Sequence, residues 1–251
     1  MQAQGAEETK QAAATSTPAN DEEEKKEEDT GPVGPKHQNL ANDKDGAEVE
    51  KMDNRHTRNI LSPFINQQKS WDGPENEFEI SPELIRGIVE ELGFIKPSKI
   101  QGVAIPLICR PVDGSFHDLI AQSKNGSGKT GAFSIGSTLR VDPAINKCQV
   151  LCIAHVRELS SQIADVYTKL CKYSNINVTN FTQSGIAEGN HIVVTTLGKL
   201  ANNLKKRGNA GKLDLSELKC FIFDETDVFF GDQRHLNQLK EVHKNYITKL
   251  P

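Results

Sequence analysis

Long apolar runs are missing from this sequence. None approaches the roughly 20 residues that a membrane-spanning helix needs, so no membrane partner is expected. The first residues are polar, without the apolar core of a secretory signal. The five cysteines stand at 109, 148, 152, 171 and 220. They form no CxxC pair, which excludes the common zinc spacings, and they suggest no disulfide framework. Reduced thiols in an intracellular protein are the expectation. No internal repeat is present, so the fold must come from one set of elements packed once.

What the chain does have is unevenly distributed. Residues 1–53 contain 14 acidic and 6 basic residues, whereas the whole chain carries a net charge of −4. The remainder is therefore mildly basic, which is compatible with a nucleic-acid partner without requiring one. Ala, Gln, Thr, Glu and Lys dominate the beginning, with an acidic run over 21–29 and a Gly/Pro cluster over 31–35. Too little there is apolar to offset the entropy of ordering. Residues 1–58 thus read as a disordered acidic extension. Residues 81–251 form the folded lobe. Residues 59–80 link the two, and Ile60, Leu61, Phe64, Ile65 and Trp71 within them could dock onto the lobe.

Within the lobe, Ser81-Pro82 is a good helix start, Leu84, Ile85, Ile88, Val89 and Leu92 make one apolar face, and Gly93 ends the helix. Strands and helices then alternate. A short buried strand is expected over Leu119, Ile120 and Ala121, followed by a Gly-rich turn and a helix over 130–139. Further strands are expected over 150–154, 177–182, 192–195 and Cys220–Phe223, with a long amphipathic helix over 158–173. This alternation predicts an α/β fold with a parallel sheet covered by helices on both faces.

Two motifs carry chemistry. Ser123-Lys124-Asn125-Gly126-Ser127-Gly128-Lys129-Thr130 has the spacing of a phosphate-binding loop, with Ser123 where the strict pattern has Gly. Gly126 and Gly128 let the backbone wrap so that N–H groups and a helix start face a phosphate. Lys129 would reach the β- and γ-phosphates, and the Thr130 hydroxyl would ligate magnesium. The second motif is Asp224-Glu225-Thr226-Asp227, at the end of an apolar strand and 95 residues beyond Lys129. Asp224 could hold magnesium through water and Glu225 could activate an attacking water. Alone, such a cluster is more often just a turn; paired with the loop in one α/β domain it becomes the second half of an ATPase site.

A third segment, Gly93-Phe94-Ile95-Lys96-Pro97-Ser98-Lys99-Ile100-Gln101, is on its own a helix stop and a helix start. It resembles the adenine-recognising Q motif of DEAD-box RNA helicases, since a side-chain amide matches the N6 and N7 of adenine. The resemblance extends from Phe78 to the end of the chain, about one N-terminal RecA-like lobe. Asp224 to Asp227 resembles the acidic box itself, with Thr226 in place of Ala. Arg157-Glu158-Leu159 is similar to the family's TRELA segment and Thr196-Leu197-Gly198 to its TPG segment. The wording around these motifs looks most like the mRNA-export branch.

This resemblance implies an RNA-stimulated ATPase that uses ATP and Mg²⁺ to remodel short duplexes. Phe78, Phe94 and Gln101 would join residues 123–130 in binding ATP. Lys129, Asp224 and Glu225 would be catalytic, and Arg157, Thr196, Gly198 and Gly185 would contact the backbone of single-stranded RNA or duplex ends. It also implies a monomer, nuclear and cytoplasmic, with nuclear-pore export factors as partners. His155-Val156 departs from the family's Pro-Thr, and Leu197 departs from its Pro. Only residues 186–190 separate Ser184-Gly185 from the next strand, where the family places a helix. The chain is expected to stop before the strand bearing the Ser-Ala-Thr motif and before the second lobe. That would leave a gap in the sheet beside the acidic-box strand and little turnover. The alternative is a degenerate, non-catalytic module that binds a nucleotide or a partner; a P-loop kinase or GTPase would not explain the Gln101 segment.

Overall fold

The computed structural model describes residues 70–71, 78–112, 114–185, 189–206 and 211–247. The acidic extension, and Ile60, Leu61, Phe64 and Ile65, lie outside them. Ser81 opens the first helix, α1 (Pro82–Arg86), accepting a bond from the Leu84 backbone N–H, and a wider π-type turn over Gly87–Glu91 continues it. Gly93 then turns the chain with φ 68°. Leu84 and Ile88 are buried as expected, with Ile85 and Leu92 packed beside them, but Val89 is 42% exposed. The wider turn rotates Val89 off the apolar face. Trp71 docks on this region: it is buried, and its indole N–H donates to the Phe94 carbonyl at 2.8 Å.

Helices α2 (Lys99–Cys109) and α3 (Lys129–Thr138) pack together. The remaining elements are β1 (Val150–Ala154), α4 (Arg157–Leu170), β2 (Val178–Asn180), β3 (Ile192–Thr196), α5 (Leu197–Leu204), β4 (Cys220–Phe223), α6 (Thr226–Gly231) and α7 (Gln233–Val242). A π-type turn over His243–Ile247 comes after α7. The four strands are parallel, in the order β2-β3-β1-β4.

Alternation along the strands divides the core in two. Val150, Cys152, Ala154, Ile192 and Val194 face one apolar cluster, with Ile163 and Tyr167 of α4, Ile135 of α3 and Ile105 of α2. Leu151, Ile153 and Val193 face the other, with Leu197, Leu200 and Leu204 of α5, Phe229 of α6 and Val242 of α7. Helices therefore cover both faces, as the pattern predicts.

One expected strand does not form. Leu119, Ile120 and Ala121 join no ladder and are not buried; Ile120 is 89% exposed. A three-residue apolar run becomes a strand only when a neighbour supplies its backbone bonds. Among the described residues β4 pairs with β1 on one side and with no strand on the other, so the run before the phosphate-loop motif has no partner in the sheet.

Candidate active site

The 123–130 motif keeps its turn-and-helix geometry without a preceding strand. Gly126 and Gly128 both adopt positive φ, 77° and 99°, a region that side chains disfavour, and Gly128 caps the start of α3. The Ser123 and Ser127 hydroxyls are 2.6 Å apart and tie the loop's ends together. Lys129 donates to the carbonyl oxygens of Ser123, at 2.6 Å, and Lys124, at 3.1 Å. The ammonium thus lies inside its own loop.

Gln101 is buried at the start of α2. Its side-chain oxygen accepts the Ser98 backbone N–H at 2.8 Å, and its amide donates to the Gly128 carbonyl at 3.3 Å. The amide therefore ties the 93–101 segment to the phosphate loop and keeps one N–H and one acceptor lone pair for other use. Gly131 makes this approach feasible: a Cβ there would meet the Gln101 amide at 2.5 Å and the Phe94 ring at 2.8 Å. Sequence reasoning missed Gly131, although a Gly directly after the motif's Lys-Thr was the available signal. Phe94 lies against α3 at this point, whereas Phe78 packs into the core with its ring 5.9 Å from Trp71.

Strand register assembles the rest. Ile153 of β1 pairs with Phe223 of β4, and Ala154 with Thr196 of β3. The residues after these three strands consequently emerge side by side at the carboxyl edge of the sheet, where open α/β folds place ligands. Asp224 donates its backbone N–H to the Ile153 carbonyl at 3.2 Å. Its carboxyl is held above the ordinary range, first by burial and then by the Glu225 charge, opposed by a 3.1 Å hydrogen bond from the Glu225 backbone N–H and then by Lys129. The Lys129 charge thus acts on this carboxyl. Glu225 has φ 53° and ψ 54°, a left-handed conformation uncommon outside Gly, Asn and Asp.

Asp224 and Thr130 offer hard oxygen donors of the kind magnesium prefers. Among the described residues no three metal-ligating side chains cluster. Magnesium itself needs only one or two protein oxygens, completed by phosphate and water.

At this edge opens a cleft of about 500 Å³ lined by His155, Arg157, Glu158, Thr196, Gly198 and His235, among others. Three of the four predicted RNA contacts, Arg157, Thr196 and Gly198, meet here; Gly185 does not line it. Helices α4 and α5 both begin at this cleft, and neither is capped by a side chain, so their N–H groups remain open to an anion. Leu197, where the family pattern has Pro, is 2% exposed and anchors α5 in the second core cluster. In the sequence His155 registers only as a departure from the pattern; the fold gives it a partner. Its Nδ1 lies 2.9 Å from Oε2 of Glu225, too oblique for a full hydrogen bond.

The DEAD/DEAH box helicase family model matches residues 98–249. The chain belongs to this family. It is 38% identical over 161 residues to DEAD-box ATP-dependent RNA helicase 38 of Arabidopsis thaliana, covering 60% of this chain and 31% of that protein. It is 36% identical over 161 residues to ATP-dependent RNA helicase dbp5 of Schizosaccharomyces pombe, covering 62% and 30%. Among solved structures, S. cerevisiae Dbp5 bound to RNA and ADP BeF3 matches with a TM-score of 0.59 at 29% identity, over 73% of this chain and 44% of that one. A variant of S. cerevisiae Dbp5 bound to Nup159, Gle1, IP6 and ADP matches with a TM-score of 0.57 at 30% identity, over 68% and 44%. The chain therefore spans about a third of the length of its curated relatives. The sheet and its flanking helices are those of a RecA-like DEAD-box lobe.

Proposed function

We propose that this chain is the ATP-binding lobe of an RNA-stimulated ATPase that remodels short RNA duplexes. In this reading Lys129 holds the terminal phosphates and Thr130 and Asp224 hold Mg²⁺. Glu225 activates water, and Phe94 and Gln101 meet the adenine. The supporting observation is the register that sets the acidic turn and the cleft side by side along one edge of the sheet, with the Lys129 charge acting on the Asp224 carboxyl. The cleft would seat RNA phosphates through Arg157, Thr196, Gly198 and two helix N-termini. Such contacts position RNA without reading its sequence. The similarity to Dbp5 in complex with Gle1, IP6 and Nup159 supports partners of that kind and a role in mRNA export between nucleus and cytoplasm.

Titration of the full chain with Mg·ATP, Mg·GTP and a single-stranded oligoribonucleotide tests the reading. ATP should be preferred over GTP by about tenfold, because a mismatched buried amide costs ~1–3 kcal/mol. Oligoribonucleotide affinity should fall with salt, and Arg157→Ala should reduce the logarithmic salt slope by about one phosphate contact. Equal affinity for ATP and GTP would remove the adenine role, and salt-independent or absent RNA binding would remove the cleft's.

A second reading is a module that binds nucleotide without turnover. The contact between His155 and Glu225 favours it, because a carboxylate engaged by an imidazole is a poorer base.

A further inference from the structure

β1 lies between β3 and β4 in the sheet, so the residue directly after it stands between the loops that leave its two neighbours. That residue is His155. On one side its side chain lines the cleft with Arg157, Thr196 and Gly198. On the other, Nδ1 is 2.9 Å from the Glu225 carboxylate. The imidazole is one-fifth exposed and Glu225 about half exposed, so the pair is partly shielded and its interaction is not fully screened by water. Nδ1 is shut off from solvent and makes no complete hydrogen bond. It is therefore held near Glu225 but left short of a bond that a better-placed acceptor could supply.

We propose that His155 is a positioning residue shared between the cleft and the acidic turn. With the cleft empty it restrains the Glu225 carboxylate. A phosphate seated beside Arg157 draws the imidazole away and releases that carboxylate. Proline, which the family pattern places here, could make neither contact. The coupling deepens the proposed function by naming how cleft occupancy reaches the base. It rests on that reading's assignment of the cleft to RNA phosphate.

The coupling has a thermodynamic signature that does not depend on turnover. If Glu225 and the phosphate compete for one imidazole, loosening the hold of Glu225 must strengthen ligand binding, and only when the imidazole is present. The affinity of the full chain for a ten-residue oligouridylate is measured in the parent, Glu225→Gln, His155→Ala and the double variant. Removing the Glu225 charge near a polyanion raises affinity in either background, and the double-mutant cycle subtracts that general effect. The expected result is a gain on Glu225→Gln at least about fivefold larger with His155 than in the His155→Ala background.

Imidazole NMR supplies the direct signature. The His155 resonance, assigned by its loss in His155→Asn, should move on Glu225→Gln and again on adding oligouridylate. Asparagine places an amide near the position of Nδ1, so His155→Asn should retain part of the coupling. Equal gains in the two backgrounds, or a His155 resonance indifferent to both changes, would overturn the proposal. Mg·ATP binding without any oligouridylate binding would overturn the cleft assignment itself, and the shared-imidazole inference with it.

Discussion

Lys129 donates to two carbonyl oxygens of its own loop, so an entering triphosphate must exchange those carbonyls for phosphate oxygens. Lys129→Ala should therefore weaken ATP binding more than ADP binding. The difference should be about tenfold or more, since hydrogen bonds to charged groups contribute ~1.5–3 kcal/mol. Nucleotide titration checks this, and equal losses for ATP and ADP would contradict it. Asp224 presents the opposite situation, a carboxyl whose charge is poorly compensated. Its affinity for a proton is raised by folding, so its contribution to stability is greatest below its ordinary range and is lost as pH rises through the raised value. At neutral pH Asp224→Asn should accordingly raise Tm, and Mg²⁺ should raise the Tm of the parent more than that of the variant. A variant that melts below the parent at pH 7 and above it at pH 4 would show the sign to be wrong.

At the scale of elements, β4 leaves one edge without a strand partner among the described residues, and Ile120, shortly before the phosphate loop, is 89% exposed. Open strand edges and exposed β-branched side chains promote association between chains. Ile120→Lys should reduce light scattering of concentrated protein while leaving the far-UV circular dichroism unchanged; undiminished scattering would place the sticky surface elsewhere. The contrast with the neighbouring motif explains what the sequence could convey. Gly126 and Gly128 encode a turn through their own backbone freedom, so that loop was legible locally. Cys220–Phe223 was legible with its bounds because four consecutive apolar residues end in an acidic turn. Residues 119–121 were not, because a run so short takes its structure from a neighbour. The significance of His155 was hidden for a related reason. It comes from the pairing of Ile153 with Phe223 and Ala154 with Thr196, which no local pattern records.

Across the whole molecule, thiols sample both cores and the central strands. Cys148, Cys152, Cys171 and Cys220 are buried, and burial pushes the Cys148 and Cys171 thiols up to about 12 and that of Cys152 higher still. Thiolates are the reactive species, so these four should resist alkylation at pH 8 while the lobe is folded. Cys109, only partly buried, should be modified first. Mass spectrometry after brief alkylation along a urea series should show the four becoming reactive together, at one denaturant concentration. Staggered reactivity would mean that the two sides of the sheet open separately.

The sole tryptophan of the chain extends this to the nucleotide site. Trp71 is buried, and its indole bonds the backbone of Phe94, whose ring rests against the first turn of the helix after the phosphate loop. One fluorophore therefore sits two contacts from the site, with no competing tryptophan emission. The protein carries its own optical gauge: a ligand that shifts Phe94 alters the surroundings of the indole, and unlabelled nucleotide can be followed by intrinsic emission alone.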